Sequence, residues 1–235
     1  MSGLKKLRKE LKSLANPKKA KLLQGFFKTG KGEYGEGDIF LGITVPEQRE
    51  LLKKYFKGLS SEEIGDLLNS KIHEERLIAL LILVIRYEKF ADQRKLIFEF
   101  YLENYANINN WDLVDLSAPN IVGKHLLNSD KSILYEFANS DSLWKKRIAI
   151  LSTFTFIRYG KFADSLKITE ILLDDKHDLI HKAVGWMLRE IGKRDLKVEE
   201  DFLKEHYKNM PRTMLRYAIE KFEESKRKAY LNGEI

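Results

Sequence analysis

The residues best suited to chemistry lie in Asn109-Asn110-Trp111-Asp112-Leu113-Val114-Asp115. The stretch predicts a short helix. Asn110 is a good N-cap, and Asp112 adds a carboxylate to the first turn, where the helix dipole favours one. Trp111 and Asp115 stand four residues apart, so a helix puts them on one face. An aromatic face attracts a cation and a carboxylate neutralises one, so such a pair could hold a positive charge. A plainer use is open to the same residues: a core tryptophan and an aspartate that is solvated or ion-paired. Pro119 predicts the end of this helix and the start of the next, with Ser117 or Ala118 at the junction.

The elements that must position this pair are helices. Apolar residues recur at three and four along nearly the whole chain, and only four prolines interrupt it, a pattern that predicts an all-α fold. Leu4, Leu7, Leu11 and Leu14 mark a first amphipathic helix, closed by Asn16-Pro17, and a second runs from about Lys18 to Lys28. The Gly30-to-Gly37 stretch is the one clearly non-helical segment. It lacks the Gly-Lys-Ser/Thr ending of a P-loop, which argues against a nucleotide cofactor. A flexible connection suits it better than a backbone cradle for phosphate. Pro46 opens a further helix, and breaks follow at Ser60-Ser61, Asn69-Ser70, Asn107 to Asn110, Ser129-Asp130, Ser140-Asp141 and Asp174-Asp175. No stretch reads as a linker, so residues 1–235 are expected to form a single domain.

Composition narrows the class. With 43% hydrophobic and 11% aromatic residues, 235 residues can bury a sizeable core. The absence of cysteine excludes disulfides and thiolate metal sites. No apolar run is long enough to span a bilayer, and the first residues lack a signal-like apolar segment. A soluble, unprocessed, cytoplasmic protein is therefore expected. A formal net charge of +7 favours a polyanionic partner, with the cations spread along the chain rather than gathered in a tail.

A period emerges among the helices. Glu75-Arg76-Leu77-Ile78-Ala79, Lys146-Arg147-Ile148-Ala149-Ile150, His181-Lys182-Ala183-Val184-Gly185 and Arg216-Tyr217-Ala218-Ile219 resemble one another. They are spaced by one or two steps of roughly 35 residues, with Asp112 near the missing member, which predicts an α-solenoid of HEAT-like repeats. A concave basic groove follows if the same helix of each repeat lines it. Arg76, Asp112, Arg147 and Lys182 would then lie on or near that face.

Three segments carry a resemblance to a known family: Trp111-Asp112-Leu113-Val114-Asp115, Leu143-Trp144-Lys145-Lys146-Arg147-Ile148-Ala149-Ile150-Leu151, and Lys182-Ala183-Val184-Gly185-Trp186-Met187-Leu188-Arg189-Glu190. In order and spacing the chain resembles the AlkD-type DNA alkylation repair family, HEAT-like-repeat glycosylases that release N3- and N7-alkylated purines. The similarity extends to Phe40-Leu41-Gly42-Ile43. By that resemblance Asp115 takes the place of the catalytic aspartate, and Trp111 and Trp186 those of the active-site tryptophans. Arg147 takes the place of the arginine at the DNA backbone. Phe26 or Phe27 stands where the family has a tyrosine beside the cleft, and the Gly30-to-Gly37 loop resembles an insertion. Double-stranded DNA with alkylated bases is the implied partner. Arg76, Lys146, Arg147, Lys182, Phe26 and Phe27 are its candidate contacts.

The chemistry of the residues agrees with these roles. A purine alkylated at N3 or N7 is cationic and already a good leaving group. A carboxylate can stabilise the oxocarbenium-like sugar left behind and orient the attacking water, as in sugar hydrolases but without an obligatory partner acid. Tryptophan faces attract the cationic base, and an arginine fork holds a phosphate oxygen. Most glycosylases flip the target base into a pocket; the resemblance implies a shallower groove. No metal or organic cofactor is implied. His177 and His181 share a helix face, but a lone pair is a weak zinc signal. His73, His125 and His206, like them, read more readily as solvated or capping residues. Trp144 reads as a core aromatic. The alternative function is a non-catalytic helical module that binds damaged or branched DNA, or a protein partner. A capped solenoid has no need to dimerise, so a monomer is expected.

Overall fold

The structure is a computed structural model that describes residues 2–235. Among those residues there is no β-strand, only one isolated parallel bridge between Ile39 and Ile72. The fold is all-α. Its helices gather into two compact units, one ending at Ser117 and the other running Ala118–Ile235.

In the first unit local chemistry fixes the helix starts. Ser2 accepts from Lys5 N–H to cap Gly3–Ser13, whose Leu4, Leu7 and Leu11 are buried. Asn16 accepts from Lys19 N–H and Pro17 occupies the first turn of Pro17–Phe26. Capping boxes open Val45–Leu52, through Thr44 and Glu47, and Ser61–Leu68, through Ser60 and Glu63. Each box satisfies backbone N–H groups that have no partner inside the helix.

Helix His73–Lys89 is the centre of this unit. Helices Val45–Leu52, Ser61–Leu68, Arg94–Glu103 and Trp111–Ser117 all pack on it. Every residue from His73 to Leu83 is buried. Four of those, His73, Glu74, Glu75 and Arg76, are titratable or charged, and groups of this kind stay buried only when paired.

The second unit is a succession of helix pairs. Ser132–Ala138 packs on Leu143–Arg158, Ala163–Leu172 on Asp178–Gly192, and the latter also on Leu196–His206 and Arg212–Ala218. The second helices of the pairs, Leu143–Arg158, Asp178–Gly192 and Arg212–Ala218, are also neighbours. The period of roughly 35 residues places Arg76, Arg147 and Lys182 near the start of the long second helix of each pair. Pro119 opens a π-helical turn, Pro119–Gly123, where Gly123 N–H reaches back to Ala118 C=O. A Cβ on Gly123 would lie 2.3 Å from Ser152 C=O, so only glycine lets this turn pack so closely on Leu143–Arg158. No helix among the described residues is long and apolar enough to cross a membrane.

Candidate active site residues and the charge cluster behind them

Trp111–Ser117 is a helix, as its sequence predicts. Asn110 is fully buried; its Oδ1 accepts from Trp111 N–H at 2.8 Å and its carbonyl from Val114 N–H at 3.2 Å. Along this helix Asp112, Leu113 and Val114 are buried, whereas Trp111 and Asp115 are both half-buried. The two residues singled out for chemistry therefore keep a face toward solvent while the residues between them anchor the helix.

Both phenylalanines of the Phe26-Phe27 pair meet Trp111. Phe27 is buried and stacks flat on the indole, with centroids 5.0 Å apart and planes 8° from parallel. Phe26 is 64% exposed and meets the indole edge-on at 5.8 Å. Phe27 also stacks on Phe40 at 4.9 Å. Phe26, Phe27 and Phe40, with Ile43, His73 and Asp112, line a largely apolar cavity of about 370 Å³.

Behind the helix lies a cluster of buried charge. His73 Nε2 is 2.8 Å from Asp112 Oδ2, and its Nδ1 is 3.1 Å from Asp38 Oδ2. Arg76 donates to the same Asp38 oxygen at 2.6 Å and to Ser70 C=O at 3.0 Å. A carboxylate only accepts, so both imidazole nitrogens are satisfied when both carry a proton. Burial alone would lower the His73 pKa, but its bonds to Asp112 and Asp38 reverse that and raise it. Burial likewise pushes Asp38 up, and the hydrogen bonds from His73 and Arg76 bring it below the usual carboxylate range. Two cations thus balance two anions in a desolvated site.

This cluster corrects the reading of His73 as solvated or capping. It also explains the glycine-rich loop. Gly30 N–H donates to Glu33 and Gly32 N–H to Glu36, each at 2.8 Å, so these amides are occupied by the loop's own carboxylates. The loop closes with Gly35 N–H on Lys28 C=O at 3.0 Å and delivers Asp38 to His73 and Arg76. Next to it, Glu74 accepts from the N–H groups of Leu41, Gly42 and Ile43 at 2.8–3.2 Å. That gives the Phe40-Leu41-Gly42-Ile43 stretch its anchor. Asp38 and Glu74 escaped the sequence reading, although a run of four charged or titratable residues at the head of an apolar helix was their signal.

The other candidate residues have these surroundings. Arg76 is buried in the cluster rather than exposed. In the second unit Arg147 is also buried, and it donates to Leu179 C=O at 2.5 Å. Lys146 pairs with Asp175 at 2.7 Å, and Lys182 with Asp178 at 2.6 Å. Trp186 is half-buried, donates from Nε1 to Glu190 at 3.3 Å and packs on Phe154 at 5.7 Å. Trp144 is half-buried rather than a core residue. His177 Nδ1 accepts from Leu179 N–H, and His181 Nε2 donates to Asp175 C=O. Among the described residues no group of three or more His, Cys, Asp or Glu is arranged to hold a metal ion.

An all-α helical-repeat chain with an Asn-capped Trp111–Asp115 helix defines the class of protein. The family model for DNA alkylation repair enzymes matches residues 7–222, and the chain belongs to that family. A solved structure described as a predicted DNA alkylation repair enzyme from Enterococcus faecalis has the same fold, with a TM-score of 0.70 and 18% identity. That match covers 89% of this chain and 97% of the other. No curated protein matches. The family places the chain in the repair of alkylation damage, with DNA as the substrate.

Proposed function

We propose that the protein is a monofunctional DNA glycosylase that hydrolyses the N-glycosidic bond of cationic N3- and N7-alkylated purines in double-stranded DNA. The observation that carries this reading is the half-buried pair Trp111 and Asp115, four residues apart on a helix whose intervening residues are buried. Asp115 supplies a carboxylate for the developing sugar cation and for the attacking water. Trp111 offers an aromatic face to the cationic base at about 0.5–2 kcal/mol. In the second unit Trp186 has the same aromatic role. Arg147 holds a phosphate, with Lys146 and Lys182 adding phosphate contacts. The leaving base is already cationic, so the reaction needs no general acid. Phe26, with its ring largely in solvent, is a further DNA contact.

Base release from DNA carrying N7-methylguanine or N3-methyladenine tests the assignment, set against Asp115→Asn and a control without enzyme. Release above spontaneous depurination, lost in Asp115→Asn while DNA binding persists, is the expected result. Binding without release from either lesion would replace this reading with that of a DNA-binding module.

A further inference from the structure

Resting on the glycosylase reading, we propose that His73 is a positioning residue: its imidazolium clamps Asp112 and so fixes the helix that carries Trp111 and Asp115. A seven-residue helix has little stability of its own, and its orientation comes from the burial of Leu113, Val114 and Ser117 and from what holds its first turn. Two groups do so here. Asp112 Oδ1 accepts from Leu113 N–H at 2.9 Å while Oδ2 faces His73 Nε2 at 2.8 Å. Asn110 accepts from Trp111 N–H with Oδ1 and turns its Nδ2 to Asp38 Oδ2 at 3.5 Å.

Both anchors end on the same cluster, and His73 is its centre. A second route runs through rings. The imidazole stacks on Phe40 at 4.4 Å and leans on Phe27 at 5.1 Å, and Phe27 in turn stacks on Trp111. His73 thereby meets the start of the helix through Asp112 and its first side chain through Phe27. Asp115 lies one turn on, so a rotation released at Asp112 displaces its carboxylate.

The charged groups facing the imidazole are Asp38 from the loop, Asp112 from the short helix, and Arg76 on the same helix as His73. Lys19 and Glu74 line the adjoining cavity. Glu74 is occupied by the amides of residues 41–43. Arg76 opposes protonation of His73, and the two aspartates favour it. The clamp is therefore closed below the raised pKa of His73 and opens as pH climbs through it, when one ring nitrogen loses its proton and one carboxylate its donor.

The test is the single-turnover rate of base release between pH 6 and 9 for the wild type, His73→Gln and Asp112→Asn. DNA affinity and urea unfolding are measured alongside. Misplacement by an ångström costs a reaction up to about a hundredfold. His73→Gln should release base about 10–100-fold more slowly at pH 7, with DNA affinity within about twofold, and should lack the alkaline fall of the wild type. Asp112→Asn removes the anion that favours protonation, so its alkaline fall should move to lower pH; it serves also if His73→Gln does not fold. Folded variants with the wild-type rate and pH profile would overturn the proposal. Should the wild type release no base, the glycosylase reading fails on its own. The Trp111 indole NH resonance, followed over the same pH range, then decides the clamp. A titration lost in His73→Gln supports it, and an identical titration in both proteins overturns it.

Discussion

The ring of Phe27 lies flat on that of Trp111, centroids 5.0 Å apart, while Phe26 touches the same indole only by its edge. Two adjacent phenylalanines thus have different jobs. Phe27 is 7% exposed and supports the tryptophan from behind; Phe26 is 64% exposed. Phe27→Ala should cost about 3–5 kcal/mol, the range for truncating a buried aromatic ring, and should red-shift the Trp111 emission. Phe26→Ala should stay within about 0.5 kcal/mol of the wild type. Urea unfolding followed by fluorescence separates the two, and equal losses would show that the stack does not support Trp111.

Glu74 and Gly42 form a second such pair. The carboxylate collects three consecutive amides, and Gly42 permits this with φ +83° and no room for a Cβ, which would lie 2.3 Å from Asn16 C=O. Glu74→Gln leaves one acceptor oxygen and no charge for three donors. A loss of about 1–3 kcal/mol is expected for buried amides left short of a partner. Gly42→Ala adds left-handed strain to a backbone clash, at about 2 kcal/mol or more. Denaturant midpoints report both. A Gly42→Ala protein as stable as the wild type would contradict this account of the loop.

Much of this architecture was legible in the chain. The three-and-four spacing of Leu4, Leu7 and Leu11, the break at Ser60-Ser61, Pro17 and Pro46 near helix starts, and the period linking Arg76 to Arg147 and Lys182 all act through local geometry, which a sequence displays directly. So did the placement of Trp111 and Asp115 on one face of a short helix. What stayed hidden depends on partners distant in sequence. Arg76 looks like a surface cation because nothing nearby neutralises it; Asp38, 38 positions before it, does so. His73 lacked any visible ligand or acid because its two aspartates come from a loop and from another helix. Periodicity gives a residue's place on its helix but not what packs over it. Trp144 misled the reading for the same reason.

The cations separate into two kinds by experiment. Arg76 is spent on Asp38 inside the unit, so Arg76→Ala should cost about 3–5 kcal/mol of stability by stranding a buried carboxylate. Lys146 and Lys182 pair with Asp175 and Asp178, with their own side chains 24% and 40% exposed, and can exchange a carboxylate for a phosphate. Lys182→Ala should leave unfolding nearly unchanged, whereas Lys146→Ala also strands the Asp175 carboxylate, whose side chain is 6% exposed, and should lose stability as well as a phosphate contact. The salt dependence of DNA affinity should then fall by about one phosphate contact. An Arg76→Ala protein of wild-type stability with weakened DNA binding would reverse the assignment.

Glu199 gives the clearest pH signature. It is 2% exposed, its Oε1 has no hydrogen-bond partner, and its carboxyl occupies the space that a side chain on Gly192 would fill. Burial, followed by the charge of Glu200, pushes its pKa up to about 8, against the opposing pull of Arg189. The sign follows from linkage. With the folded value above the unfolded one, stability is fully present below about pH 4.5, where both states bind the proton. It is then lost as pH rises, because the unfolded chain ionises first, and the loss is complete above about pH 8. Glu199→Gln keeps the shape and abolishes the titration. Relative to the wild type, the variant should gain on the order of a few kcal/mol between pH 4.5 and pH 9. Taking the difference cancels the contributions of His73, lost on the alkaline side, and of Asp38, lost on the acid side. Urea unfolding at pH 4.5, 7 and 9 measures that difference, and curves for the two proteins that stay parallel would mean that Glu199 is ionised in the folded chain.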